Sequence, residues 1–502
     1  MNPLLILPIV IPLCCGALLL LGRHGVKSAR GLALLSALAQ LTVAALLLDQ
    51  AGSGVIQVYT LGNWLPPQGI VLVLDRLAAL MLLVTAVLAL PVLIFANAGA
   101  DRAGRFFHPL FQFQLLGVNG AFLTGDLFNL FVFFEILLIA SYGLLVYGHG
   151  VARTRAGLHY TVLNLAGSSL FLIGVGTLYG ITGTLNMADL SVAIAAVDAA
   201  DAPLLAAAGL LLLIVFALKA AVFPFYFWLP RSYAAASAPV AALFAIMTKV
   251  GVYAILRLDT VLFGAQAGEL AYLLLPWLWP LGLITLALGG FGALAANSLP
   301  QLIAYLVVAS VGTLLSGIAL NSVEALSASL YYLLHTTWMT GALFLLADLI
   351  ARKRGAAVAV LRNGPRIERP ALLGGCYLVG AIAVAGLPPL SGFVGKVLLL
   401  QAAPAGTVQI WLWSVVLGAG LLSLVGLSRA GSALFWRSNM PPVAAADNTG
   451  DGFLAVTLLL ATTLVLSLGG DTIIASLRAT AEQVLDASQY TSAVLALMEP
   501  PP

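Results

Sequence analysis

Five ionisable residues lie inside stretches that otherwise hold almost nothing polar. Glu135 falls in "LFNLFVFFEILLIASYG", Lys219 in "LIVFALKAAVFPFYFWLP", Lys249 in "FAIMTKVGVYAI", His335 in "YYLLHTTWMTGALF" and Lys396 in "GLPPLSGFVGKVLLL". A charge at the centre of a bilayer costs at least about 2.5–3.5 kcal/mol on insertion scales, so each of these needs a partner or a task. The chemistry open to them is proton transfer. A buried ammonium gains or loses its proton according to the charges beside it, and a Glu–Lys pair is made or broken by moving either charge. Glu135 is therefore the natural partner of Lys219. Lys249 and His335 are then relay stations between the two halves, histidine being suited by its ordinary pKa of about 6.5.

Two of the lysines adjoin helix breakers. Pro224 follows Lys219, while Pro388 and Pro389 precede Lys396, with Gly386, Gly392 and Gly395 around them. Proline frees a carbonyl about one turn back, and backbone opened at membrane depth survives only where protein or water satisfies it. Paired interrupted helices in two halves of a chain point to an ion site near the midplane. The breaks are expected to admit water and polar partners to the lysines. The order, lysine before proline in one half and after it in the other, is read as the mark of an inverted repeat. Bland readings compete at every position: a structural salt bridge for each lysine, a helix–helix clasp for Glu135, a satisfied core histidine for His335. As a series, one acid, three lysines and a histidine are less easily explained by packing. Asp126 and Asp348 sit near span ends and read as edge residues. Ser310, Tyr331, Tyr332, Thr336 and Thr337 could line a water wire, but helix packing is the better reading of each.

The elements that must position these groups follow from composition. The chain has 502 residues, 62% of them hydrophobic and 8% charged. A soluble domain carries roughly 25% charged residues, so this is an all-α polytopic membrane protein. Helices are expected rather than a barrel, because the apolar runs are about 20 residues long. About fourteen spans are expected, beginning near 2–21, 31–49, 73–98, 107–124, 127–147, 158–182 and 203–228. The others fall near 236–263, 270–295, 300–320, 323–350, 371–401, 408–435 and 452–470. The N-terminal run has no basic region before it and reads as a first spanning helix, not a cleaved signal. A weakly amphipathic tail from Asp471 is expected along a partner or on the membrane surface. Spans four to eight and nine to thirteen form the two inverted five-helix repeats, with helices 7 and 12 broken. The expected divisions are residues 1–98, 99–263, 264–435 and 436–502.

Orientation follows from the basic residues. With the N-terminus outside, inner loops hold Arg23, Lys27, Arg30, Arg102, Arg105, Arg153, Arg155, Arg231, Arg352, Lys353, Arg354, Arg362, Arg366, Arg369, Arg429 and Arg437. Arg76, Arg257 and Arg478 stay outside, and the outer stretch 183–202 has three aspartates and no base. By the positive-inside rule both termini are expected outside. Cys14, Cys15 and Cys376 show no metal or disulfide spacing and read as small apolar residues. No phosphate loop, dinucleotide fingerprint, cysteine cluster or paired histidines is visible. No cofactor, metal or nucleic acid is therefore expected, and any redox energy would have to arrive through another subunit.

"GDLFNLFVFFEILLIASYGLLVYG", "FALKAAVFPFYFWLPRSYAAASAPVAALFAIMTKVGVYAI" and "VAGLPPLSGFVGKVLLL" resemble the antiporter-like subunits shared by respiratory complex I and the Mrp cation/proton antiporters, over roughly 100–435. The resemblance implies fourteen helices, with two inverted five-helix repeats whose broken seventh and twelfth helices carry the key lysines. The family's helix-five glutamate and its helix-seven and helix-eight lysines fall on Glu135, Lys219 and Lys249, and its helix-twelve ionisable residue falls on Lys396. Its helix-eleven histidine corresponds to His335. A lysine at 396 and the lack of a long C-terminal extension favour the D type of the Mrp (Pha/Mnh) branch. The resemblance implies a bacterial plasma-membrane complex with the A, B, C, E, F and G subunits that exchanges protons for Na+ or another monovalent cation. Alternatives are a proton-pumping subunit of a quinone- or ferredoxin-linked oxidoreductase or membrane hydrogenase, and a coupling subunit for inorganic-carbon uptake. A pure scaffold would leave the lysines without a reason.

Overall fold

A computed structural model describes residues 2–22, 25–355, 359–367, 370–437, 440–441 and 450–497. Arg23, Arg369 and the last residues of the tail lie outside the described residues. The first part of the chain forms α1 (Leu7–Leu21), α2 (Val26–Ala51), a short antiparallel hairpin of β1 (Gln57–Thr60) and β2 (Val71–Leu74), and α3 (Arg76–Asn97). Next come α4 (Phe107–Leu123), α5 (Leu127–Val146), α6 (Val151–Thr182), the short α7 (Met187–Ala195) and α8 (Ala202–Ala220). Three pieces follow the first break: α9 (Trp228–Ala235), α10 (Ala238–Leu243) and α11 (Met247–Arg257). The second half holds α12 (Leu275–Ala295), α13 (Leu299–Ile318), α14 (Val323–Arg354), α15 (Pro370–Ala385), α16 (Ser391–Gln401) and α17 (Thr407–Gly431). The chain closes with α18 (Gly450–Leu468), α19 (Gly470–Leu485) and α20 (Ala487–Leu495).

Among the described residues eleven helices are long and apolar enough to cross a membrane, or twelve if the bent pair ending in α19 counts as one span. That differs from the expected fourteen for a physical reason. Each of the fourteen apolar stretches does contain helix, but α4 has 17 residues, and the stretch 371–401 divides into α15 and α16, of 16 and 11 residues. A piece of 11 residues rises about 17 Å, roughly half the hydrocarbon thickness.

Burial sorts the helices into a centre and a rim. The span holding α10 and α11 is 100% buried, and α14 and α13 are 94% and 89% buried, against 33% for α1 and for α17 and 39% for α6. A lipid-solvated protein has no hydrophobic drive to push helices together, so close approach depends on small residues. Gly251 supplies one such contact: a Cβ there would stand 2.7 Å from the Ala220 amide nitrogen, so α11 and α8 touch backbone to backbone. Lys249 and Lys219 flank this crossing.

Ionic groups at the two ends are tied by specific pairs. At one end Arg30 grips Asp101 through Nε and Nη2, both at 2.6 Å, and the Tyr147 hydroxyl donates to the Asp101 carbonyl at 2.6 Å. At the other, Asp75 caps α3 by accepting from the Ala78 amide at 2.8 Å and pairs with Arg257 at 2.5 Å. The Arg257 guanidinium also lies over the rings of Tyr253 and Tyr490, at 5.1 and 5.3 Å. Tyr490 belongs to the tail. Gln483, also in the tail, accepts from the Arg76 amide at 2.9 Å and donates to the Gly54 carbonyl at 2.8 Å. Through these contacts the inner face of the tail folds back on this chain's own end. Its polar positions meet backbone groups of the hairpin region, a match that periodicity alone does not show.

Candidate functional site

Glu135 and Lys219 come together, but a serine stands between them. Ser168 on α6 donates to Glu135 Oε1 on α5, and Lys219 Nζ on α8 donates to Ser168 Oγ at 3.3 Å. Lys219 is 5% exposed and its ammonium sits 5.7 Å from the Phe134 ring centroid. The hydrogen bonds run in one direction, from ammonium to hydroxyl to carboxylate. A proton can move along that direction: Ser168 gives its proton to Glu135 and takes one from Lys219, leaving both terminal groups neutral.

Ser168 was not among the expected residues, and its neighbour shows why. Ser169 donates to the Leu165 carbonyl on its own helix at 3.1 Å, the ordinary habit of a hydroxyl in a membrane helix. Two adjacent serines look alike in a string of letters. Only the helix face turned toward α5 and α8 separates them. Replacing Ser168 by alanine is expected to slow proton transfer roughly a hundredfold, the low side of what a positioned proton-transfer group contributes. Vesicle transport rates at matched assembly check this, and threonine at 168 should restore most of the rate.

Lys249 is 0% exposed and donates to Ser310 Oγ at 3.2 Å and Thr248 Oγ1 at 3.4 Å. Ser310 thus holds an ammonium as well as packing α13, since it also donates to the Val307 carbonyl at 2.7 Å. His335 is 1% exposed; its Nδ1 is 2.8 Å from Ser391 Oγ, which lies 2.6 Å from Thr463 Oγ1 on α18. Thr248, Ser391 and Thr463 were likewise not expected from sequence. Tyr331 and Thr337 bond backbone carbonyls of Leu466 and Leu333, as packing residues do. Asp126 caps α5 by accepting from the Asn129 amide at 2.7 Å, and Asp348 pairs with Arg352 at 2.6 Å, both near helix ends.

The two breaks satisfy their opened backbone differently. After α8 the chain passes through Ala221 in left-handed geometry, at φ 60°, before Pro224. The freed Leu218 carbonyl accepts from Trp228 Nε1 at 3.0 Å, and the Phe223 amide donates to Thr285 Oγ1 at 2.9 Å. Between α15 and α16, which flank Pro388 and Pro389, Lys396 itself takes the opened carbonyls. Its Nζ donates to Ala385 at 2.8 Å and Val384 at 3.3 Å. Gly386, at φ 82°, makes room: a Cβ there would stand 2.7 Å from Lys396 Cδ. So the reversed order of lysine and proline has a local explanation. Lys219 occupies the last turn of α8, and Lys396 reaches back to the last turn of α15. Both ammonium groups lie at the carbonyl end of a half-helix, where the backbone dipole favours a cation.

Among the described residues, none of the three lysines has a carboxylate within ion-pair distance, whereas Arg257 and Arg30 do. The structural salt-bridge reading therefore fits those arginines and not the lysines. The series is contiguous through helix contacts: Gly251 against Ala220 joins the Lys219 and Lys249 helices, and Lys249 joins α13 through Ser310. His335, beside the Tyr332 ring at 5.9 Å, then joins α14 to α16. The outermost members, Glu135 and Lys396, are half-buried on the flanks of the chain.

A family model described as NADH:quinone oxidoreductase/Mrp antiporter, transmembrane region, matches residues 124–423, which include all five ionisable residues. The chain belongs to this family. Its Rhizobium meliloti (strain 1021) relative, a probable K(+)/H(+) antiporter D subunit, is 40% identical over 99% of this chain and 98% of its own length. The Na(+)/H(+) antiporter D subunit of Bacillus subtilis (strain 168) is 38% identical over 99% and 100%. Among solved structures, a chain of the Mrp complex from Dietzia sp. DQ12-45-1b is 29% identical with a TM-score of 0.86, covering 99% of this chain and 100% of that one. A chain of the archaeal membrane-bound sulfane sulfur reductase also reaches 0.86, at 26% identity over 98% and 99%. Fold alone thus does not separate the family's branches. Identity of 38–40% over the whole length to D subunits named as antiporters favours the antiporter branch.

Proposed function

We propose that this chain is the D-type member of a multisubunit monovalent cation/proton antiporter and that it carries the proton. The observation that carries the reading is the series of buried lysines held by hydroxyls and carbonyls rather than carboxylates, in a chain alike end to end to the D-type antiporter relatives. A lysine fixed by a carboxylate is a strut; one held by neutral oxygens can release its proton without stranding an opposite charge. Glu135, Ser168 and Lys219 make up one exchange unit, Lys249 with Ser310 a second, and His335 with Ser391 and Lys396 a third. Transfer between units follows the helix contacts at Gly251 and along α13 and α14. Two inverted five-helix repeats, helices 4–8 and 9–13 of a fourteen-helix count, are the arrangement that pairs the two breaks.

The assembly we propose includes the A, B, C, E, F and G subunits, in a bacterial plasma membrane with both chain termini outside. The crowding of basic residues at one end supports that orientation. The cation is Na+ or K+; the two relatives' names differ on this point. The test is cation-dependent proton transport in inverted vesicles from an antiporter-deficient host expressing the whole operon. Addition of Na+ or K+ should discharge the proton gradient with the wild-type chain. Glu135→Ala, at matched assembly, should reduce the response at least about a hundredfold. A wild-type complex that responds to neither cation would move the assignment to a redox-driven complex.

A further inference from the structure

The first turns of α6 and the half-helix α9 enclose an open groove of ≈ 1080 Å³ lined by Val151, Arg155, Leu158, His159, Val162 and Arg231, among others, with no carboxylate in its walls. Arg155, His159 and Arg231 are all exposed. From this basic mouth an apolar stripe runs along α6 at helical spacing: Leu158 at 67% exposure, Val162 at 58%, Leu165 at 60% and Leu172 at 44%. The 14 steps from Leu158 to Leu172 rise about 21 Å, more than half of a roughly 30 Å hydrocarbon core. The groove lies at the end of the molecule where the basic residues gather.

We propose that this groove binds an acidic phospholipid, the phosphate held by Arg155, Arg231 and His159 and one acyl chain laid along Leu158, Val162, Leu165 and Leu172. Charge complementarity commits the site to a lipid. A cationic mouth above an apolar strip reproduces the layout of an anionic headgroup above its tail, and arginine forks bind phosphate oxygens bidentately. Arg231 sits on the half-helix that follows the first break, and Phe227 at the start of that segment places its ring 6.0 Å from His159. The lipid therefore ties α9 to α6, whose buried face carries Ser168. The inference does not depend on which ion the complex moves.

The test uses the intact complex in phosphatidylcholine vesicles doped with phosphatidylglycerol or phosphatidylcholine bearing a photoactivatable acyl chain, followed by peptide mapping. Residues 151–172 should be labelled more by the acidic probe, by roughly fivefold for each arginine. Arg155→Gln with Arg231→Gln should remove the excess, and Arg155→Lys with Arg231→Lys should retain most of it, all at equal assembly. Equal labelling by both headgroups would overturn the proposal and leave a plain lipid-facing wall. Crosslinks from this segment to another subunit in place of lipid would overturn it too, making the groove an interface within the complex.

Discussion

Lys219→Ala should lower cation-driven proton transport at least about a hundredfold while leaving the complex assembled. The size follows from what a positioned proton donor contributes, about 10²–10⁴-fold. Assembly should survive because Lys219 has no carboxylate in ion-pair distance among the described residues; it touches Ser168 and the Phe134 ring instead. Removing it breaks no direct ion pair, and Glu135 stays half-buried and hydrogen-bonded to Ser168. Lys219→Arg sharpens the test. Arginine keeps the charge but does not give up its proton in a protein, so a relay through this position should fail with arginine almost as fully as with alanine. If arginine sustains transport, the positive charge matters and the proton does not. Transport rates in vesicles, normalised to complex quantified on native gels, read both variants.

Arg257→Ala should do the reverse, collapsing assembly. The Arg257–Asp75 contact at 2.5 Å is almost sealed from solvent, with side-chain exposures of 6% and 2%. Removing one partner of a buried pair typically costs about 3–5 kcal/mol, because the other charge is left in a low-dielectric site. Here the loss spreads further. Asp75 also caps α3, and Tyr490 anchors the tail on the guanidinium. Arg257→Leu combined with Asp75→Asn should regain much of the stability, since the pair leaves together and asparagine still caps a helix. Thermal unfolding of the purified complex measures this. A single Arg257→Ala variant as stable as wild type would mean that the pair contributes nothing.

These two cations illustrate what a sequence makes legible. Lys219 stands out because the surrounding residues are apolar on both sides and a proline follows. Arg257 does not, because one charge near a helix end is expected to find water there. Its partner lies far earlier in the chain, and only the fold brings the hairpin end of α3 over α11. The membrane architecture and the two breaks were readable from hydropathy, proline and glycine. The hydroxyls that hold the charges were not: Ser168 and Ser169 differ only in which way the helix turns them. Ser310 read as packing and proved to hold Lys249 as well. The tail's contacts with the ends of α3 and α11 were not readable either, because an amphipathic pattern does not say whose surface it covers. The chemistry of a Glu–Lys pair supplied the pairing of Glu135 with Lys219 but not the serine between them.

The central claim is that the midplane lysines move protons and the end-capping arginines hold the fold. It is tested most directly by measuring assembly and cation-driven proton transport side by side for Lys249→Ala and Arg257→Ala. Lys249 is 0% exposed and held by Thr248 and Ser310, so its loss should leave a fully assembled complex that transports no protons. Arg257→Ala should yield little complex, with normal transport per assembled unit. Lys249→Ala complexes that assemble and transport at the wild-type rate would contradict the account.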